Sequence, residues 1–254
     1  MATSDSYGWD FHFTLSDECR FIDIKGPPGI DLKINHEKDG MKSVREFIVK
    51  LQSFTEEEAL EEARIQAKTL VDILAVLSAK HLGYNLAGYR IYDPNRINKI
   101  GSSGGKVGAS VIIKYDNESP EPVDLSQGKI VQLIKTFKPV GKIRSLVDRL
   151  SHANDGLEAA RNKLYEVMIR DFYLAIADKP EATKYEPLRN VLSHHEQIKL
   201  DTLKKLKDNF GEDYFDLPDD KFDHRSSKNI KNLEIEANKL MKLAMEDIHR
   251  ELQK

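Results

Sequence analysis

Apolar and polar residues alternate at a period of two through the first third of the chain, then give way to a helical period. Trp9, Phe11, Phe13 and Leu15 alternate with Asp10, His12 and Thr14, and Phe21-Ile22-Asp23-Ile24 continues the pattern, as a half-buried strand requires. Gly26-Pro27-Pro28-Gly29 is a turn cluster, Ile30 to Ile34 resumes the alternation, and Asp39-Gly40 marks a second turn before a strand around Val44 to Leu51. Thr55, followed by three glutamates, opens a helix expected to run to about Leu82 and to stop at Gly83. A strand is expected over Leu86 to Tyr92, a loop over Asp93 to Gly108, and a β-branched strand over Val107 to Tyr115. From about Leu125 the periodicity is helical. Helices are expected over Gly128 to Phe137, Ile143 to His152, Leu157 to Ala177, 187 to 210 and Ile230 to Leu252, with an acidic link from Glu212 to Asp223. The fold class is therefore α+β, with a β-containing N-terminal domain over 1–125 and an all-helical domain over 126–254.

Composition narrows the function classes. The 254 residues are 40% hydrophobic and 32% charged, which suits a globular protein with enough apolar surface for a core. No run approaches the length of a membrane-spanning helix, and Met1-Ala2-Thr3-Ser4-Asp5 lacks the order of a signal peptide. A single cysteine, Cys19, fits a reducing compartment, so a cytoplasmic location is the expectation. The net charge of −3 disfavours non-specific binding to long nucleic acids, which leaves any such role to a local basic patch. Gly101-Ser102-Ser103-Gly104-Gly105-Lys106 has the wrong spacing for a phosphate loop, and a strand rather than a helix is expected after it.

The chemistry-bearing stretch is Pro187-Leu188-Arg189-Asn190-Val191-Leu192-Ser193-His194-His195-Glu196. On one continuous helix at about 100° per residue, His195 joins Leu188, Val191, Leu192, Ile198, Leu203 and Leu206 on the apolar stripe, while Asn190, His194, Gln197 and Asp201 share the opposite side. Arg189 sits at the border, where its long side chain reaches the Asn190 and His194 face. A guanidinium, an amide and an imidazole near a helix N-terminus suit an anion, and a phosphate is the obvious guest. Adjacent His194 and His195 point apart and do not converge on an ion, so no metal site and no cofactor is expected. Glu166, Asp171 and Asp178 form an acidic face, read first as a solvated surface and otherwise as a source of one more polar group for the Arg189 and His194 site. Lys199, Lys204, Lys205 and Lys207 extend the positive charge along the helix, as either a solvated face or a track for an RNA backbone.

Arg189-Asn190-Val191-Leu192-Ser193-His194 resembles the R-N-x-x-x-H signature of the HEPN superfamily (higher eukaryotes and prokaryotes nucleotide-binding). The run from Tyr173 to Leu252 also resembles the proteins called methylamine utilization protein MauJ, a likeness that carries no activity with it. The HEPN resemblance implies a helical HEPN-like domain, a homodimer whose motifs face one another, and a metal-independent endoribonuclease, as in toxins or defence effectors. In that reading Arg189 neutralises the scissile phosphate, His194 handles protons and Asn190 holds either of them. The alternative is a non-catalytic HEPN-like protein that binds a nucleotide or a partner through the same residues.

Overall fold

Five strands and a helix account for the alternating N-terminal pattern. In a computed structural model, which describes residues 7–53, 55–93, 96–102, 122–126, 128–136, 140–193 and 198–254, strands β1 (Tyr7–Phe21), β3 (Ile30–His36), β4 (Lys42–Ser53), β5 (Tyr84–Asp93) and β6 (Arg96–Ser102) form an antiparallel sheet. Their order is β3-β4-β1-β5-β6, so the long first strand is central. Short strands β2 (Ile24–Lys25) and β7 (Val123–Asp124) pair in parallel. The apolar positions of β1, from Trp9 to Leu15, are all buried. With Val44, Phe47 and Val49 of β4 they form the sheet's share of the core, and the Phe13 and Phe47 rings stack at 5.3 Å. Helix α1 (Glu56–Leu77) packs on β1, β4 and β5, burying Ala59, Ala63, Ala67, Leu70 and Leu74. Cys19 is fully buried in β1; its thiol donates to the Val44 carbonyl at 3.5 Å, and burial pushes its pKa up to about 12.

Two element ends differ from the sequence expectation for one physical reason. Thr55 caps α1 as expected, its hydroxyl accepting from the Glu58 amide at 3.3 Å. The helix stops at Leu77, however, not at Gly83. Ala79 takes a left-handed φ of 49°, and the Ala79 and Lys80 amides donate back to the Val76 and Ala75 carbonyls, a Schellman closure made without glycine. Gly83 instead holds β1, accepting from the Ser16 amide and donating to the Ser16 hydroxyl, both at 2.8 Å. Likewise the expected break after His152 is absent: α3 runs Lys142–Arg161 and α4 Tyr165–Ala175. There Lys163 is left-handed at φ 55°, and the Lys163 and Leu164 amides return to the Ala160 and Ala159 carbonyls. Residues 96–102, expected in a loop, are strand β6. The expected strand over Val107 to Tyr115 lies outside the described residues.

The chain divides into two compact units: 1–147 with 252–254, and 148–251. Helix α2 (Gly128–Lys135), which the sequence reading grouped with the helical part, packs against α1 in the first unit. The second unit contains α4, α5 (Glu186–Ser193), α6 (Leu200–Phe210) and most of α7 (Ser227–Leu252), and no strand occurs between 157 and 252 among the described residues. Buried Arg149 ties this unit together, donating to the Ala175 carbonyl at 2.6 Å and pairing with Asp247, which Lys179 approaches at 3.4 Å. Gly156, inside α3, lies against the ring of Phe172; a Cβ there would meet that ring at 2.9 Å.

Glycine within a helix is usually improved by alanine, by about 1 kcal/mol. Here the overlap with buried Phe172 reverses the sign: Gly156→Ala is expected to cost about 1–3 kcal/mol, with part of the loss recovered by adding Phe172→Leu. Lys163→Gly, seven residues on, is expected to gain about 0.5 kcal/mol by relieving the left-handed strain. Urea unfolding of the variants measures both; a stabilised Gly156→Ala variant contradicts the close packing.

Candidate functional site

A short 3-10 helix (Pro180–Tyr185) leads directly into α5. Proline starts it, since a fixed φ and a missing amide hydrogen cost nothing at a helix beginning. The Glu186 amide donates to the Thr183 carbonyl, so the chain enters α5 from a preceding turn rather than from an open N-terminus. Glu186 also brings a negative charge to the first turn, and Pro187 has no amide hydrogen to offer. An anion bound here relies on side chains more than on helix amides. Leu188 and Val191 are fully or almost fully buried, as their spacing demands, and α5 packs on α4 and α6.

The single helix expected over 187–210 is two helices. Ile198 and Lys199 are not helical: the Ile198 amide donates to the Asp220 carbonyl at 3.0 Å, and Lys199 is extended (φ −61°, ψ 140°) before α6 begins. The apolar stripe of α6, with Leu203 and Leu206 buried, is therefore not a continuation of that of α5, and Leu200 at its start is 77% exposed. Apolar spacing survived the break, which is why periodicity alone did not reveal it. His194, His195 and Gln197 lie outside the described residues.

Arg189 and Asn190 are in contact. The Arg189 Nη1 donates to Asn190 Oδ1 at 3.0 Å, and both side chains are half-buried. The Arg189 Nε is buried and has no hydrogen-bond partner among the described residues. A buried unpaired donor on a cation is costly, so the guanidinium retains capacity for an acceptor. Tyr173 and Glu186 lie within electrostatic range. Burial raises the Tyr173 phenol pKa and the Glu186 carboxylate raises it further, while Arg189 opposes both. Lys199, Lys204 and Lys205 are exposed at the start and on the outer side of α6, and Lys207 is paired with Glu212 at 2.8 Å. The acidic candidates are engaged elsewhere. Glu166 is 2.6 Å from His224 Nδ1, Asp171 is bonded to Arg170 at 2.9 Å, and Asp178 lies 3.9 Å from Lys179. No group of histidine, cysteine and acidic residues suited to a metal occurs among the described residues.

Sequence reading passed over the polar cluster that fixes the approach to α5. Glu236 of α7, only 2% exposed, accepts from the Tyr185 hydroxyl at 3.3 Å, the Tyr214 hydroxyl at 2.9 Å and the Lys239 ammonium at 2.7 Å, with Lys184 at 3.8 Å. Burial works against its charge, but the bonds from Lys239 and Tyr214 and the charge of Lys184 outweigh it and hold its carboxyl below the ordinary value. Burial, the hydrogen bond and the Glu236 charge push the Tyr214 phenol up to about 12, and Tyr185 is raised as well, by burial first and Glu236 second. The available signal was a glutamate on the apolar stripe of α7, between Leu233, Ala237 and Leu240.

No protein family, curated protein or solved structure matches this chain in comparisons with known proteins.

The two phenols give the fold an alkaline limit. Folding raises the Tyr214 pKa from 10.0 to about 12, so the folded chain holds that proton more tightly than the unfolded one. The resulting stability is complete below pH 10.0 and is lost as pH rises through about 12. Tyr214→Phe is expected to lower stability at neutral pH by about 1–3 kcal/mol and to make the alkaline decline shallower. Urea midpoints measured along this pH range decide it; an unchanged alkaline slope contradicts the assignment.

Proposed function

We propose that this protein is a metal-independent endoribonuclease of the HEPN type, with the R-N-x-x-x-H stretch as its catalytic half-site. The observation that carries the reading is the state of Arg189: one end of its guanidinium is steadied by Asn190, while Nε is buried with no partner among the described residues. A fixed, incompletely satisfied guanidinium suits a phosphate, whose oxygens accept from it and whose developing charge it stabilises during cleavage.

In this mechanism His194 takes the proton from a ribose 2′-hydroxyl, whose oxygen attacks the adjacent phosphorus. The P–O5′ bond breaks, and the departing oxygen takes a proton from the second motif of a homodimer or from water. The products are a 2′,3′-cyclic phosphate and a free 5′-hydroxyl. Arg189 bears the charge on the non-bridging oxygens, Asn190 holds Arg189 in place, and Lys199, Lys204 and Lys205 follow the RNA backbone beyond the cleaved bond. The step needs no metal.

A second reading, nucleotide binding without catalysis, is favoured by the net charge of −3, which attracts long RNA poorly. The two readings part on one assay. Purified protein incubated with mixed RNA is expected to cleave it equally well with and without a chelator. Arg189→Ala and His194→Ala are each expected to slow cleavage by at least about 100-fold. Wild-type protein that binds a nucleotide but leaves RNA intact supports the second reading, and cleavage that both variants retain refutes the assigned residues.

A further inference from the structure

We propose that the end of α2 and the start of α3 form a docking surface for the phosphate backbone of a single RNA strand, separate from the Arg189 site. The choice of RNA among nucleic acids rests on the ribonuclease reading; the surface itself does not, and it lies wholly in the first unit.

The positive charge that the chain as a whole lacks is concentrated here. From Leu125 to Val147 there are five basic residues, Lys129, Lys135, Lys138, Lys142 and Arg144, and no acidic one, the longest acid-free run in a chain of net charge −3. Elsewhere in the first unit lysines are matched by acids: Lys50 by Asp31 and Lys80 by Asp17, both at 2.6 Å. Lys135, which ends α2, and Lys142, which begins α3, are exposed and have no acidic partner among the described residues. Like charges gathered without counter-charge repel one another, a cost to folding that a bound anion relieves.

The side chains exposed around the two lysines are of one chemical kind. On α2, Gln132 and Lys135 are exposed, while Ile130, Leu133 and Ile134 are buried on the helix that packs on α1. On the first turn of α3, Lys142 and Ser145 are exposed and Leu146 is buried. Ammonium, amide and hydroxyl groups all donate, and donors of these kinds make most protein contacts to phosphate oxygens. Such contacts position a strand without reading its sequence. Seven chain steps separate Lys135 from Lys142, so the two are at most about 25 Å apart, within the reach of one strand. An anionic membrane is the competing occupant of a basic surface, but it is held by inserted apolar side chains as well as by charge. Here the apolar side of α2 is occupied by α1, and Val140 is the one large apolar side chain exposed between 128 and 147 among the described residues. Charge is left to act alone, which suits a polyphosphate strand.

Fluorescence anisotropy of a labelled RNA of about 20 nucleotides, measured with the full chain, tests this. Every 2′-oxygen of the probe is methylated, so it cannot be cleaved, and binding is read whether or not the ribonuclease reading holds. K135Q/K142Q removes two phosphate contacts. It is expected to lower the slope of log affinity against log salt by about 1.4, and to weaken binding about 25-fold at about 0.1 M salt. K231Q/K242Q, at exposed positions of α7, changes the net charge equally and is expected to leave binding as it is. Urea midpoints of both double variants are expected to match the wild type, since all four lysines are exposed. A wild type that fails to hold the probe at low salt overturns the proposal. So does a K135Q/K142Q variant that binds as the wild type does, and so do equal losses in the two double variants, which reduce the effect to net charge. Vesicles of anionic phospholipid that bind the wild type and not K135Q/K142Q, with RNA binding unchanged, assign the surface to a membrane instead.

Discussion

A carboxylate withdrawn from water must be matched by donors or opposite charge, and Glu236 imposes that demand on the second unit. Its partners come from three separate stretches: Tyr185 and Lys184 from the turn before α5, Tyr214 from the acidic link after α6, and Lys239 from α7 itself. Leaving such a charge partly unpaired costs about 3–5 kcal/mol, so the three stretches are held in register by one side chain. Rings reinforce it: Phe210 sits 5.9 Å from both Tyr185 and Tyr214, and the Lys184 ammonium lies 4.7 Å over the Phe210 ring. The link is further pinned by buried Asn229, which donates to the Asp216 and Asp223 carbonyls, both at 2.9 Å. Arg189 follows four residues after Tyr185, on the helix that this turn leads into.

The sheet and the site answer to different constraints. In β1, alternation alone assigns the faces, because burying Trp9, Phe11, Phe13 and Leu15 on one side leaves Asp10, His12 and Thr14 on the other. Such a pattern tolerates bulges, and β1 has register shifts against both neighbours. The site rests instead on interruptions of regular structure: a 3-10 turn into α5, and an extended residue, Lys199, before α6.

That contrast decides what could be read from the chain. Strands from Trp9 to Leu51, the Thr55 cap and the long last helix were legible, because each is written in periodicity or in a polar residue next to its own backbone partner. Helix ends at Ala79 and Lys163 were not, since neither is the glycine that usually signals a left-handed closure, while Gly83 and Gly156 serve purposes unrelated to termination. Strand β6 was obscured by its polar and glycine-bearing composition, Arg96 to Ser102. At the site, the proximity of Arg189 to Asn190 followed from sequence, but Glu236 lies 47 positions from Arg189, beyond the reach of any local pattern.

The chain's single cysteine reports on all of this without taking part in it. Burial pushes the Cys19 pKa up to about 12, which keeps the thiol protonated at neutral pH, and thiolate is the form that reacts. The thiol is also sealed between β1 and β4, bonded to Val44. Electrophiles and oxidants therefore meet it only when those two strands separate. Alkylation kinetics of the unmodified chain become a clock for the opening of the sheet's centre, with no probe to introduce and no second thiol to confuse the count.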